Sequence, residues 1–187
     1  MRSGLLLAIL LTLAPPAFAW DLNDLMHALS SHRGGHARFV ETKSIALLDK
    51  PVVSSGELYF APPSRLEKRT QKPRPENLLL DGDTLSIERG KQKFRLRLSQ
   101  QPEAMAFVDS LRGTLTGDRA TLEKNYKLTF AGDEKRWTLD LLPNDQRIAA
   151  FVVRITFGGS GNRVEWIRYL QADGDSSLMT IEPIEEK

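Results

Sequence analysis

The chain has 187 residues, with 26 Lys and Arg against 24 Asp and Glu, three His and no Cys. Without cysteine there is no disulfide staple and no thiol chemistry, and the near-balance of charge argues against nucleic acid, for which a basic excess is expected. At this length a single domain buries a sufficient core and nothing demands a second.

Residues 1–19 read as a secretory signal peptide. Arg2 supplies a positive start, Leu5 to Leu13 is a short apolar run, and Ala17-Phe18-Ala19 is a small-x-small cleavage site. The run is too short to span a membrane. The expected mature chain, residues 20–187, is one domain of 168 residues (187 − 19), and removing Arg2 leaves 25 basic against 24 acidic side chains. No cysteine follows the cleavage site to carry a lipid anchor, so the expectation is a soluble monomer exported to the periplasm.

The mature chain opens with a helix. Leu22, Leu25, Met26 and Leu29 form one apolar stripe, Asp21 is placed to cap it, and Gly34-Gly35 end it. From Ala37 the period changes to two, and strands are predicted at 37–47, 52–61, 64–71, 76–80, 84–89 and 92–99. Asp49-Lys50-Pro51, Pro62-Pro63, Asp81-Gly82-Asp83 and Arg89-Gly90 mark the turns. Phe94, Leu96 and Leu98 alternate with Lys93, Arg95 and Arg97, as in a strand with one wet face.

The pattern then breaks. Glu103 to Arg112 reads as a helix carrying Met105, Phe107, Val108 and Leu111, with Gly113 as its cap, and a second short helix fits 118–124. Strands resume at 126–131, 135–141, 149–158, 163–171 and 176–183. About eleven strands joined by short turns make an antiparallel meander. So long a sheet with one apolar face must curl, so the expected fold is mainly β (α+β): a curved antiparallel sheet forming an unclosed barrel, with short helices as lid or plug.

A catalytic centre is hard to find. His27, His32 and His36 lie at spacings of five and four around the first helix and two glycines, and read as polar surface rather than a metal site. Asp81/Asp83 and Asp173/Asp175 flank single glycines in hairpin turns and lack the closing glutamate of a calcium loop. Gly158-Gly159-Ser160-Gly161 joins two strands, whereas a phosphate cradle opens a helix. A hydrolase has no nameable acid–base pair. What remains is the apolar face, on which Leu58, Phe60, Leu85, Ile87, Phe94, Leu96, Leu98, Met105, Phe107, Leu111, Phe130, Trp137, Leu139, Val153, Ile155 and Trp166 are the candidate lining of an acyl-binding cavity. Phe151 is a further candidate for the face.

Three motifs in order carry a family resemblance. Phe39-Val40-Glu41 resembles the Phe-x-Gln that starts periplasmic lipoprotein carriers of the LolA type. Gly56-Glu57-Leu58-Tyr59-Phe60 with Pro63 is similar to their Gly-x-Leu-aromatic strand ending in an Arg-Pro turn. Pro75 to Leu85 is similar to their Pro, aliphatic strand and D-G-x-T-L. The resemblance implies an unclosed β-barrel with a helical lid and an acyl-chain cavity, no catalysis and no cofactor. It also implies lipoprotein or other lipid-linked cargo, passed from an inner-membrane exporter towards an outer-membrane acceptor. The family's turn arginine falls at Pro62 here, which leaves Arg65 as the candidate polar contact to the lid. Ser86 and Glu88 stand where aromatic residues are usual, so a paralogue with a different lipid cargo fits at least as well. A binding module of another class, using the half-barrel and the basic strand 91–97 to hold a protein partner, is the alternative.

Overall fold

The computed structural model describes residues 20–184, so the expected signal peptide lies outside the described residues. The chain enters through helix α1 (Leu22–Ser30). Its start is locked by a reciprocal capping box, in which Asp21 accepts the N–H groups of Asn23 and Asp24 and Asp24 accepts that of Asp21. Six strands follow: β1 (Gly35–Ser44), β2 (Val52–Ala61), β3 (Arg65–Lys72), β4 (Glu76–Asp81), β5 (Thr84–Arg89) and β6 (Gln92–Arg97). A 3₁₀ turn (Leu98–Gln100), α2 (Pro102–Thr116) and α3 (Arg119–Asn125) interrupt them. The chain closes with β7 (Tyr126–Asp133), β8 (Arg136–Pro143), α4 (Gln146–Ala149), β9 (Val152–Ser160), β10 (Arg163–Gln171) and β11 (Ser176–Pro183).

All eleven strands form one antiparallel sheet in the order β6-β5-β4-β3-β2-β1-β11-β10-β9-β8-β7. Every neighbour is a hairpin partner except β1 and β11, whose pairing joins two meanders at the centre. β6 and β7 stay unpaired as edges, so the barrel is not closed.

Local chemistry moves several boundaries. β1 covers 35–44 rather than 37–47, and β6 stops at Arg97 because Leu98 turns inward and is buried. α2 continues past the expected stop at 112. Gly113 lies inside it, where an added Cβ would stand 2.8 Å from Leu122 Cδ2. The cap is Gly117, at φ 65, the left-handed conformation that glycine adopts without steric cost. α4, which the periodicity did not signal, is capped by Asp145 accepting the Arg147 N–H.

The main core lies between β7–β10 and the helices. Leu25 and Leu29 of α1 and Leu122 of α3 meet Trp137, Leu139, Leu141, Ile155 and Phe157, all essentially inaccessible to water. Each such aliphatic or aromatic side chain contributes about 1.5–3 kcal/mol by burial. A smaller cluster of Leu80, Leu98 and Val108, with Leu66, Leu85 and Met105 against it, joins α2 to the first meander. Thus α2 contributes to both clusters, Ala106 to the larger and Val108 to the smaller.

Candidate apolar groove

Residues opposite one another in antiparallel strands share a face, so the register assigns sides. One row on the inner face runs Phe94, Ile87, Leu78, Lys68, Leu58 from β6 to β2. The next row runs Leu96, Leu85, Leu80, Leu66, Phe60. α2 and the 3₁₀ turn cover the middle of the second row, burying Leu80 to 4% exposure. The first row is left largely uncovered. Phe94 is 51% exposed and Leu58, Leu78 and Ile87 are half-buried, while Leu96, at the β6 end of the second row, is 47% exposed. The inner face is therefore filled over β7–β10 and largely open over β2–β6.

The sixteen candidate lining residues separate accordingly. Leu58, Phe60, Leu85, Ile87, Phe94 and Leu96 lie on the open half. Leu98 is not a strand residue but a buried anchor of the 3₁₀ turn, and Met105 packs beside it. Phe107 and Leu111 face the main core, Phe107 meeting Tyr169 edge-on at 5.2 Å, and Phe130 likewise meets Trp20 at 5.8 Å. Trp137, Leu139 and Ile155 are core.

Two assignments to the inner face fail. Trp166 points outward and lies over Gly158, where any side chain would collide with its indole, because a register shift between Val164 and Trp166 reverses the alternation. Val153 is the extra residue of a second shift, between Leu170 and Gln171, and is 44% exposed. Phe151, just before β9, is 59% exposed.

Arg65 pairs with Asp81 at 3.5 Å, both exposed, and its register partner Ala61 lies on the outer side with Tyr59. The polar link between helix and turn comes instead from the helix. Arg112 of α2 donates to the carbonyl of Ser64 (2.9 Å), in the turn after Pro62-Pro63, and to that of Gly82 in the next turn. Burial works against the charge of this guanidinium, while Asp109, Asp81 and Asp83 favour it.

Motif reading also passed over Lys68 and its pairing with Glu41 of the Phe39-Val40-Glu41 motif. They form an ion pair on the inner face, with Lys68 Nζ 4.8 Å from the centroid of the Phe39 ring. The signal was present: both are charged residues at inward positions of the alternation, Lys68 after Leu66 and Glu41 after Phe39.

The outer face over β1–β3 is polar. Tyr59 stacks on His36 at 4.1 Å and under Arg69 at 4.5 Å, and its hydroxyl donates to Glu57. That bond, then the one from His36, holds the Glu57 carboxyl below its usual range. A hollow of about 440 Å³ beside it is bounded by Arg33, His36, Tyr59, Arg65, Glu67 and Ile184. His32 lies parallel to Phe60 and its pKa is lowered by burial. Among the described residues no group of three or more His, Cys, Asp or Glu converges to hold a metal ion.

Residues 14–181 match the family model described as outer membrane lipoprotein carrier protein LolA-like. Solved structures that resemble the chain include a LolA superfamily protein, NE2245, from Nitrosomonas europaea (11% identity, TM-score 0.47, 91% of this chain and 96% of that one). Lipoprotein LppX from Mycobacterium tuberculosis is similar at 10% identity and TM-score 0.46, covering 89% and 98%. MucB, in its complex with MucA from Pseudomonas aeruginosa, is similar at 13% identity and TM-score 0.46, covering 86% of this chain and 55% of MucB. No curated protein matches the sequence. With the family model spanning nearly the whole sheet, the chain belongs to the LolA-like outer membrane lipoprotein carrier family.

Proposed function

We propose that this protein is a periplasmic carrier, which shields the acyl chains of a lipoprotein or other lipid-linked cargo on the way from the inner towards the outer membrane. The supporting observation is the uncovered apolar row of Phe94, Ile87, Leu78 and Leu58 beside α2, with exposed Leu96 next to it on β6. An exposed methylene costs about 0.8 kcal/mol, so a chain of about fifteen carries roughly 12 kcal/mol into water. A shallow groove beside a helix offsets part of that cost and still releases its load, because an element held by few contacts opens locally.

Titration with a fluorescent acyl probe and native mass spectrometry test this reading. Saturable probe binding, abolished by Phe94→Asp, together with co-purified lipid-sized mass, is the expected result. A clean apo mass with no probe binding overturns it. A second reading, a module that holds a protein segment, is favoured by the unpaired edge of β6, all six residues of which are exposed. Under that reading a photo-crosslinker at Lys93 captures one protein in cells while the acyl probe fails to bind.

A further inference from the structure

The sheet's two ends are unlike. The reversals at one end are 45–51, 73–75, 90–91, 144–151 and 172–175, and those at the other are 62–64, 82–83, 134–135 and 161–162. Eleven large apolar side chains are exposed among the described residues. Seven of them, Leu47 (94%), Leu48 (52%), Val52, Val53, Phe151, Val153 and Leu170, lie in the first set of loops or within two residues of them. The second set carries none.

Cations flank these side chains. Along the first meander the loops 45–51, 73–75 and 90–91 stand side by side and present Lys50, Lys72, Arg74 and Lys91, all exposed and without an ion-pair partner among the described residues. Asp49 is the acid of the leucine loop. The two acids of the adjoining 172–175 turn are engaged locally, Asp175 with the Ala46 N–H and Lys43, and Asp173 with the Asp175 N–H.

We infer that this end of the sheet docks on an anionic lipid bilayer, with Leu47 and Leu48 entering the headgroup–acyl boundary and the flanking cations meeting lipid phosphates. A hairpin tip projects; it offers no concavity to close around a peptide, whereas a fluid interface receives a wedge. Apolar residues ringed by Lys and Arg are the composition that such an interface retains, by burial together with attraction to anionic headgroups. The polar border of the open groove, where Glu76 meets Arg89 at the edge of the Leu78–Ile87 row, lies towards this same end. A docked protein therefore turns the groove's border towards the bilayer.

Co-sedimentation with phosphatidylethanolamine vesicles containing phosphatidylglycerol, against phosphatidylcholine vesicles, tests the inference. The intact protein is expected to pellet with the anionic vesicles and to be released by salt. Leu47→Asp with Leu48→Asp lowers partitioning about tenfold or more at an unchanged melting temperature, since both leucines are already in water. Lys72→Glu with Arg74→Glu removes the preference for phosphatidylglycerol. Absence of pelleting by the intact protein, or equal pelleting by the leucine variant, overturns the inference. So does a crosslinker at position 47 that captures a protein instead of lipid. Cargo-free vesicles suffice, so loss of vesicle binding and loss of acyl-probe binding are separate results.

Discussion

Lys68 of β3 and Glu41 of β1 join across the intervening strand β2, their charged atoms 2.5 Å apart on the inner face. The reach is open because Gly56, between Leu58 and Ser54 on that face of β2, has no side chain. Gly56 itself is fixed by packing: an added Cβ would stand 1.9 Å from the Arg69 carbonyl oxygen. The pair sits at the border between the filled and open halves of the inner face, beside Phe39 on one side and the Leu58–Leu78 row on the other.

Removing one partner is predicted to cost more than removing both. Side-chain exposures of 24% and 18% leave each group partly desolvated, so Lys68→Met strands the Glu41 carboxylate and lowers stability by about 1–3 kcal/mol. Lys68→Met with Glu41→Gln recovers most of that loss and extends the apolar floor. Urea denaturation of both single variants and the double variant measures the coupling, and acyl-probe titration of the double variant is expected to show tighter binding.

Charge on the open half is tolerated where charge in the core is not. Phe94→Asp or Leu96→Asp places a carboxylate on a half-exposed edge strand, so the fold survives with a loss within about 1 kcal/mol. Leu139→Asp buries the same group without a partner at a site of 0% exposure, at several kcal/mol, and unfolds the protein. Phe107→Asp belongs with the second kind, because Phe107 packs against Tyr169 and the main core. Circular dichroism melts sort the variants, and the probe titration shows whether the first pair has lost the groove.

The strand meander, its hairpin turns and its two unpaired edges were legible in the sequence because alternation and turn chemistry are local signals. Trp166 and Val153 were misplaced for the converse reason: Trp166 follows a register shift and Val153 is the extra residue of another, and one extra residue resets the alternation without altering composition. The division of the inner face was not legible either. Whether Leu98 or Leu139 is core and Leu96 is exposed depends on where α2 lies, and α2 is positioned by long-range contacts such as Arg112 to Ser64 and Gly82. The expected arginine in the turn was sought near Pro62 along the chain, whereas the contact to that turn is made from 48 residues away.

Acid is predicted to weaken the α2–α3 junction. Asp118 caps α3, accepting the Thr121 hydroxyl at 2.6 Å and the Thr121 N–H at 3.0 Å, and these bonds hold its carboxyl below the usual range. A depressed folded-state pKa gives stability that is present above the unfolded value of about 3.9 and is lost as pH falls through the lower folded value. Asp118→Asn keeps an N-cap acceptor but no longer titrates. Its melting temperature is expected to stay close to the parent near neutrality and to fall less steeply below about pH 4. Asp118→Ala loses the cap at every pH, about 1 kcal/mol.

Arg112 is predicted to govern α2 more than the sheet. Arg112→Met retains the aliphatic stem but removes the donors to Ser64 and Gly82, two turn carbonyls that water can partly re-solvate, at a cost of about 1–2 kcal/mol. The loss falls on the contact between α2 and the first meander, where the cluster of Leu80, Leu98 and Val108 is small. The core around Leu139 and Phe157 does not involve Arg112. Hydrogen exchange is therefore expected to quicken at the amides of α2 while those of β8 and β9 keep their protection. Equal acceleration in β8 and β9 would mean that α2 opens only with the whole protein, and a groove gated by that helix would then lack its moving part.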